Sequence, residues 1–402
     1  MNRKAPVKAW STPADITAQL SRMWDDGRML AARVSGESLF PLQLRLRQPG
    51  IEDIGADFGE VQQWIRALEA SSSSSKGCGY ELVWREINHR QTGRQRLPDA
   101  ALVPTEADAL RLIGRQGDMR RFEELAALTL AQFPQLAGWL RRRGHALLEH
   151  AAAWPRVLAI LAWFSTHHRP QLYLRQLDIP GVDSKFIESR KALLIELLDE
   201  VLPPEAFDAT AIGARQFEMR YGLLGKPALV RFRMLDPRHY LAGLSDVSVP
   251  VAQFAGAQFD VKRVFVTENE VNGLAFPDKE SSMVVFGGGY GIDRLAGVPW
   301  LREKDVIYWG DIDTHGFAIL DRFRASVPHV RSIMMDVATL DSHRLMWGQE
   351  GEATRFTGEL TRLSEAEREL YDELRHDVHG SRIRLEQERL GFGWVSDAVA
   401  KA

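Results

Sequence analysis

Four short runs in the last third of the chain are apolar on both faces: Val264-Phe265-Val266, Met283-Val284-Val285-Phe286, Val306-Ile307-Tyr308-Trp309 and Val330 to Met335. A strand with one wet face alternates polar and apolar residues, because successive side chains point to opposite sides. Runs without that alternation must be covered on both faces. Helical spacers separate the four, and strands alternating with helices indicate a buried parallel sheet of α/β type. From about residue 261 onward, the chain is thus restricted to a layered α/β architecture.

Two of these runs end in acid. One reads Arg263-Val264-Phe265-Val266-Thr267-Glu268-Asn269-Glu270, the other Val306-Ile307-Tyr308-Trp309-Gly310-Asp311-Ile312-Asp313. Ligands of an open parallel sheet bind outside the carboxyl ends of its strands, and both acidic clusters fall at that edge. Asp311 and Asp313 are two apart, so in extended backbone they point the same way and can converge with Glu268. Carboxylates crowded together repel unless a cation joins them, and an all-oxygen donor set suits Mg²⁺ or Mn²⁺. Such a cation beside a phosphate is a common arrangement for phosphoryl transfer. An isolated Asp-X-Asp, by contrast, also serves as a strand-end turn or helix cap.

The other residues separate into an N-terminal arm of mixed α+β character, 1–177, and a middle segment, 178–260. In the arm a helix is expected over Ile16 to Trp24, strands over Leu42 to Leu46 and Tyr80 to Ile87, and helices from Glu106 to Leu177. Trp154 to Phe164 is apolar on nearly all sides, as in a buried helix. The serine run Ser71 to Ser75 and the glycines after it read as a loop. In the middle segment Asp183 or Ser184 can cap a helix over Lys185 to Leu202. The strand-like Leu229 to Arg233 follows, and a helix succeeded by small β elements fits a winged helix.

Composition bears on the partner. The chain has 402 residues, with 51 Lys and Arg against 54 Asp and Glu, a net charge of −3. That excludes a polybasic coat for nucleic acid. The balance is uneven, since residues 261–402 hold 18 basic and 24 acidic residues. The single cysteine, Cys78, excludes an internal disulfide and a cysteine-based zinc site. No apolar run reaches the roughly 18 residues that span a bilayer, so a cytoplasmic protein is expected.

The Glu268 segment and the stretch Asp311-Ile312-Asp313-Thr314-His315-Gly316 resemble the two signatures of a Toprim domain, found in topoisomerases, primases and old-family nucleases. With Gly287-Gly288-Gly289-Tyr290-Gly291 between them, the region resembles the A subunit of topoisomerase VI. Over its full length, including Ile179 to Phe186 and Arg384-Leu385-Glu386-Gln387-Glu388, the chain resembles the JetD-like proteins of the Wadjet anti-plasmid family. The resemblance implies an α/β multi-domain protein: an arm at 1–177, a winged-helix CAP-like DNA-binding domain at 178–260, and a Toprim nuclease domain with a helical extension at 261–402. Glu268, Asp311 and Asp313 would be catalytic and hold Mg²⁺ or Mn²⁺. Glu270 is a weaker ligand candidate, because Toprim domains have Glu-Gly where this chain has Glu268-Asn269. Lys185, Arg190, Gly289, Tyr290, Arg294 and His315 would contact DNA.

The implied activity is hydrolytic cleavage of closed-circular, double-stranded plasmid DNA by a homodimer. It would work with a condensin-like SMC complex formed by the other Wadjet components, A, B and C. One departure concerns tyrosine. Topoisomerase VI cuts through a tyrosine on its winged helix, and here only Tyr173, Tyr221 and Tyr240 lie in or near that segment. None has the nucleophile's surroundings, although Tyr221 is the best placed. Two alternatives stay open: a catalytically silent DNA-binding or scaffold protein, and a tyrosine transesterase. Gly287 to Gly291 reads equally as a phosphate nest or a tight turn. It lacks the Gly-Lys-Ser/Thr of a P-loop, so ATP hydrolysis is not supported. Arg120-Arg121 and Arg141-Arg142-Arg143 read as a solvated helix face, and His167-His168 lacks spaced partners for a metal. The roles of Glu386 and Glu388 are open.

Overall fold

The computed structural model describes residues 10–89, 93–287 and 291–402. The chain divides into two compact units, residues 1–225 and 226–402. Each has a hydrophobic core of its own.

The N-terminal unit begins with the helix Pro13–Asp25, whose Thr12 and Asp15 form a reciprocal capping box. Its small sheet comprises β1 (Leu42–Arg45), β2 (Glu81–His89) and β3 (Gly93–Val103), in the antiparallel order β1-β3-β2. The sequence did not predict β3, which carries Pro98, Arg94 and Arg96. A register shift between Val83 and Trp84 accommodates the proline opposite Trp84, because a bulge tolerates a residue with no N–H to donate. Helices Gln116–Gln132, Ala137–Glu149 and Trp154–Thr166 complete this core. Trp154 is fully buried, stacks on Trp139 and donates its indole N–H to Thr129 Oγ1 at 2.8 Å.

The middle segment departs from expectation. Asp183 does cap a helix, accepting from the Phe186 N–H at 2.8 Å. That helix, Ser184–Glu188, stops before a second one, Lys191–Val201. The strand read as part of a winged helix, β4 (Leu229–Met234), lies in the C-terminal sheet instead, paired with β5 (Asp246–Pro250) and with β7 (Ser282–Phe286). The boundary between the two compact units falls at 225/226.

That sheet also contains β6 (Arg263–Thr267), β8 (Asp305–Trp309) and β9 (Arg331–Ser332), in the order β5-β4-β7-β6-β8-β9. From β7 to β9 it is parallel, and β4 and β5 form an antiparallel margin. The strands β6, β7 and β8 are buried at nearly every position, as their uninterrupted apolar sequences require. The chain runs from β6 to its neighbour β7 on one side, then to its neighbour β8 on the other. The crevice between β6 and β8 is therefore a topological switch point, where open α/β sheets bind ligands.

Behind the switch point, the helix Thr314–Ser326 is tied to the helix Glu365–Arg375 by a buried ion pair. Arg324 donates through Nη1 and Nη2 to Glu367 at 2.5 and 3.0 Å. Ser332 Oγ and the Ser364 N–H also donate to Glu367. Burial alone would raise the Glu367 carboxyl, but these donors outweigh it and hold the group at about 2. Among the described residues, no helix is long and apolar enough to cross a membrane.

A folded pKa of about 2 against an ordinary 4.5 means that Glu367 adds stability above pH 4.5, which is lost as pH falls toward 2. Glu367→Gln leaves Arg324 buried without its counter-charge, and should cost about 3 kcal/mol or more at pH 7. Urea midpoints at pH 7 and pH 3 should show wild type losing this contribution while the variant changes less.

Candidate metal and phosphate site

Parallel pairing in register builds the site. Thr267 at the end of β6 lies opposite Trp309 at the end of β8. The next residues, Glu268 on one strand and Gly310-Asp311 on the other, therefore leave the sheet side by side. Gly310 is required by the closeness: a Cβ there would lie 2.6 Å from Tyr308 Oη and 2.7 Å from Glu268 Oε1. The buried Tyr308 hydroxyl donates to Glu268 Oε1.

Asp313 caps the helix Thr314–Ser326, accepting from the Gly316 N–H through Oδ1 at 2.7 Å. Its second oxygen, Oδ2, lies 3.0 Å from Arg384 Nε. Asp311 accepts from Arg384 Nη2 at 2.6 Å and from the Gln387 backbone N–H at 2.9 Å. The three carboxylates of the sequence pattern are thus gathered at one sheet edge. Burial, with Asp311 and Asp313 adding like charge, pushes the Glu268 carboxyl up to about 7 against the opposing Tyr308 bond. Burial, Glu350 and Asp311 push Asp313 to about 7 as well, although the Gly316 N–H favours its charged form.

The segment from Arg384 to Glu388 closes over the strand ends. Leu385 exchanges backbone hydrogen bonds with Ile312 at 2.9 and 3.0 Å. The Gln387 side chain is buried between the two strands. Its Oε1 accepts from Thr267 Oγ1 at 3.0 Å and from the Asn269 N–H at 3.1 Å, and its amide donates to the Trp309 carbonyl. Glu386 pairs with Arg384 at 3.3 Å and with Arg389 at 2.9 Å. Glu388 accepts from the Asn269 side chain. Glu268, Asn269, Asp311, Arg384, Glu386 and Glu388 line a cavity of about 150 Å³.

The donor set fits a hard divalent cation in kind, since it is made of carboxylates under mutual repulsion. As these side chains stand, no three or more His, Cys, Asp or Glu among the described residues are disposed around a single ion. The Arg384 guanidinium bridges Asp311 and Asp313.

The other expected residues lie elsewhere. Glu270 is exposed and paired with Arg231, so it is not gathered with the three. Arg294 donates to the Leu229 carbonyl at 3.0 Å. His315 is exposed at the start of the Asp313-capped helix. Lys185 and Arg190 belong to the N-terminal unit, where Arg190 lies over the Phe186 ring at 4.2 Å. Gly289 and Tyr290 lie outside the described residues. Tyr221 is fully buried and donates to Asp199 at 2.7 Å. Burial and Asp199 push its pKa far above the ordinary value, the reverse of what a nucleophile needs. Arg142 and Arg143 pair with Glu200 and Glu196, and His167 stacks on Trp163. Sequence reasoning assigned no role to Tyr308, Glu350, Arg384 or Gln387. The quoted Arg384 to Glu388 run was the one signal available.

Residues 222–399 match the family described as Wadjet protein JetD, C-terminal. Residues 13–199 match the N-terminal region of a family of uncharacterized proteins conserved in bacteria. No curated protein matches the chain.

A Cβ at Gly316 would lie 2.2 Å from the Asp311 carbonyl oxygen. Gly316→Ala should therefore push the Asp-X-Asp turn away from its helix and cost about 1–3 kcal/mol, read as a lower melting temperature. Gly297→Ala, which meets no atom within 4 Å, is the control and should melt near wild type.

Proposed function

The chain belongs, through its C-terminal unit, to the JetD-like Wadjet proteins, and on that premise we propose that its carboxylate site cuts DNA. Family membership implies a role in Wadjet defence alongside the other Wadjet components. The finer reading is a Mg²⁺- or Mn²⁺-dependent endonuclease of Toprim type, hydrolysing closed-circular plasmid DNA delivered by a condensin-like SMC complex. The observation that carries it is the gathering of Glu268, Asp311 and Asp313 beyond β6 and β8, at the switch point of a parallel sheet.

Glu268, Asp311 and Asp313 would hold the cation. When bound, it supplies Lewis acidity toward a phosphoryl oxygen and makes a bound water more acidic. The protein's own groups position the chemistry. Tyr308 Oη orients Glu268 through Oε1, and the Gly316 N–H fixes Asp313 through Oδ1. Gln387 holds the two strand ends at constant separation. The water oxygen bonds to phosphorus, one P–O ester bond breaks, and the proton lost by water balances the alkoxide that leaves. A duplex is cut on both strands by two copies of the chain, one site per strand.

His315, exposed at the start of the helix that Asp313 caps, is the nearest further candidate for phosphate contact. Lys185 and Arg190, in the N-terminal unit, are separate candidates for phosphate contact. Burial of Tyr221 against Asp199 argues against the transesterase.

Plasmid, ATP, Mg²⁺ or Mn²⁺ and the reconstituted Wadjet complex provide the test. Glu268→Gln and Asp311→Asn should each lower linear product by about 10²-fold or more, while Tyr221→Phe should not. A covalent protein–DNA adduct would support the transesterase, and cutting undiminished in both carboxylate variants would place the chemistry elsewhere.

A further inference from the structure

We propose that Arg384 is a built-in competitor for the divalent cation, so that loading the site is an exchange of a guanidinium for a metal ion. The inference rests on the reading of Glu268, Asp311 and Asp313 as metal-binding, and concerns how that binding is regulated.

The guanidinium lies within ion-pair distance of three carboxylates, and its Nη2 donates a hydrogen bond to one of them. Nη2 lies 2.6 Å from Asp311 Oδ2, Nε 3.0 Å from Asp313 Oδ2 and Nη1 3.3 Å from Glu386 Oε1. Two of these carboxylates are the ones a cation would need. Asp313 Oδ1 already accepts from the Gly316 N–H, which leaves Oδ2 as its less engaged oxygen. Its side chain is only 6% exposed, so a metal ion and Arg384 cannot both hold Oδ2 at contact distance. A guanidinium carries one charge against the carboxylates of Glu268, Asp311, Asp313 and Glu386. A divalent ion in its place offsets twice as much.

The exchange needs little rearrangement. The backbone is pinned independently of the side chain, by Leu385 on Ile312 and by Gln387 on Thr267, Asn269 and Trp309. The Arg384 side chain is one-third exposed, so it can swing into solvent while its backbone stays. Arginine stays charged at any working pH. The exchange is therefore driven by cation concentration and not by proton uptake on Arg384.

The test uses the purified full-length chain and Mn²⁺ alone, read by calorimetric titration and thermal melting. Arg384→Met keeps an unbranched apolar stem and removes the guanidinium with its charge. It should bind Mn²⁺ at least tenfold more tightly than wild type. It should melt lower than wild type without metal, because the carboxylates lose their counter-charge, and gain more on Mn²⁺ addition. Arg384→Ala is the second variant should Arg384→Met not fold, with the same expectation. Arg384→Lys, which keeps a cation in place, should stay near wild type. Equal or weaker Mn²⁺ binding by Arg384→Met, with Asp311→Asn abolishing binding to wild type, would overturn the exchange and leave the metal reading standing. Absence of Mn²⁺ binding in wild type and Arg384→Met alike would overturn the metal reading itself, and the exchange with it.

Discussion

Mutual repulsion among carboxylates drawn largely out of water is the constraint around which the strand ends of the C-terminal sheet are organised. The in-register pairing of β6 with β8 delivers Glu268 and Asp311 to the same edge, and the turn into the next helix adds Asp313. Each is there because of backbone geometry; Asp311 and Asp313 make Glu268 harder to ionise, and Asp311 does the same to Asp313. A fold can hold such a group only with compensating donors. Here they are the Tyr308 hydroxyl, the Gly316 N–H, the Gln387 N–H and the Arg384 guanidinium.

These donors differ in how firmly they are held. Tyr308 lies within the sheet, and the Gly316 N–H belongs to a helix whose far side is tied down by Arg324 and Glu367. Gln387 is buried and bonds both strands. Arg384 alone among them supplies its charge from a partly exposed side chain at the site mouth. The arrangement couples a rigid frame to one exchangeable cation. That coupling links the fold to the proposed chemistry, since hydrolysis asks for fixed carboxylates and a replaceable positive charge.

The legible part of this protein was local. Runs such as Val264 to Val266 and Val306 to Trp309 carry no polar alternation, and a doubly covered strand is the only stable place for them. The acids that follow were readable as a cluster because strand ends in a parallel sheet share an edge. Other elements misled for equally physical reasons. In β4 Arg231 and Arg233 alternate with apolar residues, as in any half-buried strand. Nothing nearby in sequence tells whether such a strand closes a wing or lines the margin of a distant sheet. In β3 Pro98 disguised a strand that a bulge makes possible. Tyr221, the best placed of the three tyrosines, is buried on Asp199, a contact formed across 22 residues of chain.

The amino-acid order alone settled the buried strands β6, β7 and β8 and the acids that follow β6 and β8, because hydrophobic burial and backbone alternation act within a few residues. Of Val330 to Met335, only Arg331–Ser332 forms a strand, at the sheet edge and not buried. The company those acids keep emerged only on folding. Arg384 meets Asp311 from 73 residues away, and Gln387 meets Thr267 from 120. Contacts of that range depend on how the last helices and turns fold back over the sheet. The resulting balance of charge at the strand ends is a property of the packed unit.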